Sequence, residues 1–274
     1  MSQPPPADPA AWWSEIAAGV LVRRHRELDL STGLIIGSRS CLVVDTCGDH
    51  RQGTALAAAI RERTSLPWIV VYTHAHFDHC FGTEPFLPCP VWAHAGLPAV
   101  LTATASRQRD EWAARYREQG RPDLADDLAA SSAVPPDHTV GERVELDLGG
   151  RTAVLEHLGR GHTDHDLIVS VPDVDVVFTG DLIEQGAPPA VEDSFPREWA
   201  DLATALARRG TAGTRFVPGH GHPVDTAFVR TQAAGLRTLV EQAEALGGVS
   251  DASGEEPTHP FGAAVVRAAA ARLA

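Results

Sequence analysis

Four side chains of the metal-binding type lie within six residues, directly after an apolar run. His74, His76, Asp78 and His79 belong to the stretch VVYTHAHFDHCFG, residues 70–82. In an extended segment, residues i and i+2 point to the same side, so His74 and His76 can reach one ion together. Asp78 and His79 follow where the chain is predicted to turn, and they can face a second ion nearby. Two ligands do not hold an ion, so further donors must come from elsewhere in the chain.

Three further donors lie at the ends of apolar strands predicted in the second half of the chain. The stretch GRGHTDHDLIV supplies His162, VVFTGDL supplies Asp181 and RFVPGHGHP supplies His220. Glycines beside them allow tight turns and a close backbone approach. The simplest assignment uses all seven donors: a first metal bound by His74, His76 and His162, a second bound by Asp78, His79 and His220, and Asp181 bridging both. Imidazole and carboxylate donors without thiolate suit two zinc ions, with iron or manganese as alternatives.

Four other residues are candidates for the surroundings of these ions. Asp45 ends the run CLVVD, and its carboxylate can accept a hydrogen bond that orients a ligand imidazole. His94 and His165 are candidate pocket residues, although a loop-exposed role explains His165 equally well. His222 is an alternative to His220 as a ligand.

The hydrophobic pattern predicts the elements that must position these residues. Short strands come first, helices and strands then alternate, and the pattern recurs in the second half, which is typical of a layered α/β protein. We expect a flexible segment over residues 1–14, one domain over 15–246, and a C-terminal tail with a short helix over 247–274. Residues 98–132 form a helical insert, which either caps the active site or packs at an edge.

Composition disfavours two classes of partner and excludes one class of mechanism. Of the 274 residues, 36 are acidic and 23 basic, a net charge of −13 that disfavours nucleic acid and anionic membranes as partners. All basic residues are arginine, which excludes a catalytic lysine. The N-terminus lacks the pattern of a secretory signal, and no apolar run approaches the roughly 20 residues that span a bilayer. We therefore expect a cytoplasmic protein with reduced cysteines that acts on a small molecule, and a homodimer is compatible with the sequence.

The motifs H-x-H-x-D-H, G-H-T, T-G-D and P-G-H-G, in this order, resemble those of the metallo-β-lactamase-fold hydrolase superfamily. The resemblance covers roughly residues 19–246. It implies an αββα sandwich of two packed mixed sheets with outer helices, a dinuclear site at one edge, and the seven ligand roles given above. An aspartate at position 181, where similar true β-lactamases carry cysteine or serine, looks like the glyoxalase-II-like, lactonase-like and phosphodiesterase branches.

Together, the motifs and the resemblance predict a metal-dependent hydrolase, with zinc as the expected metal. A hydroxide that bridges the two ions would attack a small ester, thioester or lactone, and Asp78 would orient it or receive its proton. One alternative is a mononuclear-iron persulfide dioxygenase, which shares the GHTD motif. The segment after Asp181 lacks the R-G-C-G-R-type run expected of that subgroup. The remaining alternatives are a phosphodiesterase and a non-catalytic metal-binding protein.

Overall fold

The first of two β-sheets is built mainly from the N-terminal half of the chain. The structure is a computed structural model that describes residues 13–248 and 258–273. Strands β1 to β4 pair antiparallel and β4 to β7 pair parallel, so the sheet is mixed. Its seven strands, in spatial order, are Trp13–Ala17 (β1), Val20–Arg24 (β2), Ser31–Ile36 (β3), Cys41–Val44 (β4), Trp68–Val71 (β5), Val91–His94 (β6) and His138–Val140 (β7).

The second sheet comes from the C-terminal half and has the spatial order β12-β11-β10-β9-β8. Its pairs are antiparallel except for β11 and β12, which are parallel. The five strands are Arg143–Asp147 (β8), Thr152–Glu156 (β9), Ile168–Val171 (β10), Val176–Gly180 (β11) and Arg215–Pro218 (β12). β8 and β9 are joined through a turn at Gly149–Gly150, where both glycines have positive φ.

Seven helices in the described residues cover the outer faces of the sheets. They are His50–Arg61 (α1), Phe77–Cys80 (α2), Leu97–Glu118 (α3), Pro122–Ala129 (α4), Pro196–Arg209 (α5), Thr226–Gly248 (α6) and Ala263–Leu273 (α7). None of the helices in these ranges has the length and apolar composition that crossing a bilayer requires.

Three apolar clusters hold the four layers together. Between the sheets, residues such as Ile35 and Val71 pack with Val169 and Phe178. Outside the first sheet, α1, α3 and α4 bury residues such as Ile60. Outside the second sheet, α5, α6 and α7 form a third cluster. Each sheet is therefore buried on both faces, as continuous apolar strands require, and the predicted αββα sandwich of two mixed sheets with outer helices is confirmed.

The ends of four strands meet at one edge of the sandwich. β4 and β5 run parallel with Val44 opposite Val71, and β11 and β12 run parallel with Gly180 opposite Pro218. Gly180 brings the two sheets close, because a Cβ atom there would lie 2.7 Å from the Cβ of Thr73. The residues that follow these strands therefore share one edge.

The termini and two strands differ from the expectations. β1 begins at Trp13, so residues 13 and 14 of the predicted flexible segment 1–14 lie in a strand, and residues 1–12 lie outside the described part of the chain. β1 and β7 were not predicted, because they are short and only partly apolar. The short helix of the predicted tail is α7, and its buried Val266 and Ala269 make it part of the third cluster.

Candidate metal centre

Seven donor side chains converge at the edge where the strand ends meet. They form two groups, in each of which one donor atom per residue lies within 4.8 Å of the others: His74, His76, His162 and Asp181 in the first group, and Asp78, His79 and His220 in the second. The H-x-H-x-D-H segment follows β5 and continues into α2, while Asp181 and His220 follow β11 and β12. The structure thus brings together all seven residues that the sequence singled out.

The spacing of the donor atoms in the first group matches a tetrahedral ion. His76 Nδ1 lies 2.9 Å from His74 Nε2 and 3.1 Å from His162 Nε2. Asp181 Oδ2 lies 3.7 Å and 3.6 Å from the same two Nε2 atoms. A tetrahedron with metal–ligand bonds of about 2.0–2.1 Å has edges of about 3.3 Å. The four distances between donor atoms, 2.9–3.7 Å, lie on both sides of that value.

The second group has the same spacing and shares Asp181 with the first. Asp78 Oδ2 lies 3.7 Å from His79 Nε2 and 3.4 Å from His220 Nε2, and the two Nε2 atoms are 3.4 Å apart. Asp181 faces this group as well, since Oδ1 lies 3.3 Å from His79 Nε2 and Oδ2 lies 3.4 Å from His220 Nε2. The Asp181 carboxylate therefore stands between the two groups.

The outer nitrogens of His74 and His79 are held by one buried network. His79 Nδ1 lies 2.7 Å from Asp45 Oδ2, which also accepts a hydrogen bond from the Thr73 hydroxyl. Because that hydroxyl donates to Asp45, its oxygen is free to accept from His74 Nδ1 at 3.0 Å. Asp45 has φ +62°, a conformation that aspartate and asparagine tolerate better than most residues. The structure places Asp45 where an acceptor orienting an imidazole would stand.

The outer nitrogens of the other three histidines also face oxygen acceptors. His162 Nδ1 lies 3.1 Å from the Ala190 carbonyl, His220 Nδ1 lies 2.7 Å from the Leu28 carbonyl, and His76 Nε2 lies 3.0 Å from Asp193 Oδ2. An outer nitrogen that faces an acceptor carries the proton, so in each neutral ring the inner nitrogen presents its lone pair to the centre. Lone pairs that face one another at about 3 Å call for a cation between them.

One oxygen of Asp181 supports the same conclusion. Asp181 Oδ1 is buried and accepts no hydrogen bond from the described residues. A buried carboxylate oxygen without a partner is costly, and a metal ion is one way to satisfy it. Gly219 leaves room for this oxygen, because a Cβ atom there would lie 1.9 Å from Oδ1. The residues present therefore fit divalent ions.

Electrostatics divide the donors into neutral and charged members. Burial lowers the pKa of His74 well below its usual range and that of His162 to about 4, so both rings are neutral near pH 7. Burial also acts on His220, but the carboxylates of Asp181 and Asp78 outweigh it and raise the pKa of His220 to about 10. Despite burial, the surrounding histidines hold the pKa of Asp181 well below its usual range. The carboxylates thus demand positive charge here, which protons or bound cations can supply.

The remaining candidate residues lie around the centre and outside both groups. His165 is buried: its Nε2 accepts a hydrogen bond from the Ala75 amide at 3.2 Å, and its Nδ1 donates to Asp164 at 2.7 Å. His94 stacks on His157 with 4.0 Å between ring centroids. His222 is exposed and contacts Arg24, so His220 is the histidine of this loop that reaches the centre.

Sequence reasoning missed three residues that support the donor segment: Thr73, Gln108 and Asp193. Gln108 comes from the helical insert, where its amide donates to the Ala75 carbonyl at 3.0 Å and its Oε1 accepts from the Phe77 amide at 2.9 Å. The insert therefore packs against the segment that carries His76. No spacing pattern links a glutamine in α3 to this segment, so only the three-dimensional structure reveals the contact.

Comparisons with known proteins identify the family of this chain. The profile described as "Metallo-beta-lactamase superfamily" matches residues 26–222. The chain is 26% identical over 163 residues to chicken (Gallus gallus) "Acyl-coenzyme A thioesterase MBLAC2", covering 56% of this chain and 57% of that protein. It is 23% identical over 201 residues to "Metallo-beta-lactamase type 2" of Bacillus cereus, covering 71% of this chain and 68% of that protein.

Solved structures show the same fold. The "Metallo-beta-lactamase from Pontibacter korlensis" superposes with a TM-score of 0.67 over 82% of this chain and 98% of that chain, at 17% sequence identity. The profile match covers well over half of the chain, from before the first donor segment to beyond His220. The chain therefore belongs to the metallo-β-lactamase superfamily.

Proposed function

We propose that this protein is a dinuclear metal-dependent hydrolase of a small ester, thioester or lactone. The observation that carries the proposal is the position of Asp181 between two complete donor groups, with distances of 3.3–3.7 Å to histidines of both. A lone structural ion needs only one donor group, so the assembly of Asp78, His79 and His220 beside the first group favours two ions. The mononuclear-iron dioxygenase is disfavoured because the segment after Asp181 lacks the R-G-C-G-R-type run of that subgroup.

Zinc is the metal that this donor set favours, with iron and manganese as the alternatives. The first ion would be bound by His74, His76 and His162 and the second by Asp78, His79 and His220, with Asp181 shared. Divalent ions bound there would supply Lewis acidity toward a substrate carbonyl and a water molecule of lowered pKa.

The chain's own groups set the proton chemistry of the proposed reaction. The outer hydrogen bonds of the histidines fix their tautomers, so the inner nitrogens stay available as ligands. Asp78 is the carboxylate at the edge of the second group, with its side chain 12% exposed. We assign it to orient the attacking water or to accept its proton. The sequence contains no lysine, so no lysine side chain can form a covalent intermediate.

Two features favour a thioester or ester over a β-lactam. The bridging position is an aspartate, as the sequence resemblance implies for thioesterase and lactonase branches. The chicken relative is named an acyl-coenzyme A thioesterase, although the chain spans 57% of its length.

A substrate panel on metal-loaded protein tests the proposal. It contains short-chain acyl thioesters, aryl esters, a lactone, a phosphodiester, a β-lactam and a persulfide with oxygen monitoring. We expect hydrolysis of a thioester, ester or lactone that is abolished by chelation and restored by zinc. Oxygen consumption with the persulfide, or turnover of only the phosphodiester or the β-lactam, would overturn the proposed substrate class.

A further inference from the structure

The segment from Ala190 to Phe195 lies against the first donor group and holds two of its histidines. The Ala190 carbonyl faces His162 Nδ1, and the Asp193 carboxylate faces His76 Nε2 at 3.0 Å. The segment begins ten residues after Gly180 and ends at α5. The segment is therefore a loop between β11 and α5 that contacts the donor histidines and is separate from the strands that precede them.

His76 differs from the other histidines of the centre in its exposure and in the atom that faces inward. Its side chain is 27% exposed, whereas those of His74 and His162 are almost fully buried. Its Nδ1 points toward the other donors. A hydrogen bond from Nε2 to an acceptor outside the donor group is therefore needed to fix the orientation of the ring. Asp193 supplies that contact with a charged acceptor, which is the stronger kind of hydrogen bond.

Asp193 is itself exposed, with 59% of its side chain accessible, so its position depends on its backbone. Two contacts fix that backbone from a distant part of the chain. Arg272 of α7 donates from Nε to the Ser194 carbonyl at 2.9 Å and from Nη2 to the Asp193 carbonyl at 3.3 Å. Phe195 then anchors the end of the segment, because its amide donates to the Gly161 carbonyl at 2.9 Å.

We propose that Asp193 is a positioning residue that orients His76 for metal binding, and that α7 holds Asp193 in place through Arg272. The proposal rests on the proposed function, since it assumes that the first donor group binds an ion. It assigns a role to the C-terminal helix, which lies almost 200 residues after His76 in sequence and contributes none of the seven donors.

The test measures metal binding by chelator competition, with purified full-length protein reloaded with zinc. Asp193→Ala is expected to weaken one of two bound zinc ions about 10- to 100-fold, the usual effect of removing an outer partner of a ligand histidine. The other zinc ion should be unaffected. Asp193→Asn keeps an acceptor oxygen without the charge and should fall between wild type and Asp193→Ala. Glu192→Gln is the matched control, because it removes the same charge from the neighbouring exposed position.

The outcomes separate this inference from the proposed function. If wild type binds two zinc ions and Asp193→Ala binds both with unchanged affinity, the inference is wrong and the proposed function stands. If wild type binds no divalent metal, both fail. Equal weakening of both ions, or an equal effect of Glu192→Gln, would show a general electrostatic or structural role and would also overturn the positioning role.

A double-mutant cycle tests the part assigned to Arg272. Arg272→Ala should weaken the same zinc ion as Asp193→Ala, by a smaller factor. In the Asp193→Ala background it should have no further effect, since interactions that act through one residue are not additive. Arg197→Ala, which removes an exposed ion pair between α5 and α6, is the control for loss of an outer arginine. An undiminished effect of Arg272→Ala in the double variant would refute the connection through Asp193.

Discussion

The substitution Asp45→Asn isolates the contribution of one buried carboxylate to the second donor group. Asp45 Oδ1 accepts from the Thr73 amide, and Oδ2 accepts from the Thr73 hydroxyl and faces His79 Nδ1 at 2.7 Å. Asparagine has the same shape and tolerates the φ of +62° at this position. The fold should therefore survive, and the effect should concentrate on His79.

The expected magnitude follows from the hydrogen bonds that change. If the amide nitrogen takes the place of Oδ2, a donor faces His79 Nδ1, and the ring must move its proton to Nε2, which points into the centre. If the amide is flipped, its nitrogen faces the Thr73 amide, so a donor again faces a donor. A hydrogen bond to a charged group contributes about 1.5–3 kcal/mol. At about 1.4 kcal/mol per factor of ten, zinc binding should weaken roughly 10- to 150-fold.

The assay is competition with a chromophoric zinc chelator, together with thermal melting of chelator-treated protein. Asp49→Asn is the matched control: Asp49 is also buried, but it caps α1 by accepting from the Gln52 amide, a role that asparagine fills equally well. We expect Asp49→Asn to bind zinc like wild type. Wild-type zinc affinity in Asp45→Asn would refute the view that Asp45 fixes the tautomer of His79.

Three further predictions concern the role of Asp181 between the two donor groups, the space that Gly219 leaves for its carboxylate, and the pH dependence of stability. Asp181→Ala should lower the zinc content below that of wild type and abolish hydrolysis, as measured by plasma mass spectrometry and the substrate panel; full content and rate would contradict the bridging role. Gly219→Ala should weaken zinc binding, because its Cβ would lie 1.9 Å from Asp181 Oδ1, whereas Gly213→Ala, with its nearest contacts at 3.7 Å and 3.8 Å, should bind zinc normally. Burial, followed by the Asp181 charge, raises the pKa of Glu184 from 4.5 to about 8. At this position the folded chain thus holds a proton that the unfolded chain releases, and the contribution of Glu184 to the stability of chelator-treated protein should fall as pH rises from about 5 to 8. Glu184→Gln, which keeps the acceptor for the Ala190 amide, should remove that part of the pH dependence in thermal melts; an unchanged profile would contradict the assignment.

Most donor positions were accessible from sequence because they follow strongly apolar strands, whereas His162 lies in the loop between β9 and β10. Val70 and Val71 precede the H-x-H-x-D-H segment, and β11 ends at Gly180, directly before Asp181. Parallel strands place their carboxyl ends at the same edge of a sheet. Donor residues that follow such strands were therefore expected to lie close together. The αββα layers followed from the same alternation of strands and helices.

Apart from Asp45, the residues that orient the donors through hydrogen bonds could not be predicted from the sequence. Asp193 lies in a loop without periodicity, and Arg272 lies in a short helix whose partner is a pair of backbone carbonyls. Gln108 contacts backbone atoms of the donor segment from the middle of a long helix. Contacts of side chains with a distant backbone depend on how loops and helices pack, and no local sequence pattern specifies them.

Metal content of protein purified without added metal or chelator is the most direct test of the central claim. Plasma mass spectrometry should find close to two divalent ions per chain, with zinc as the expected metal. Close to one iron per chain and no zinc, or no divalent metal even after zinc is added, would contradict a dinuclear centre built on Asp181.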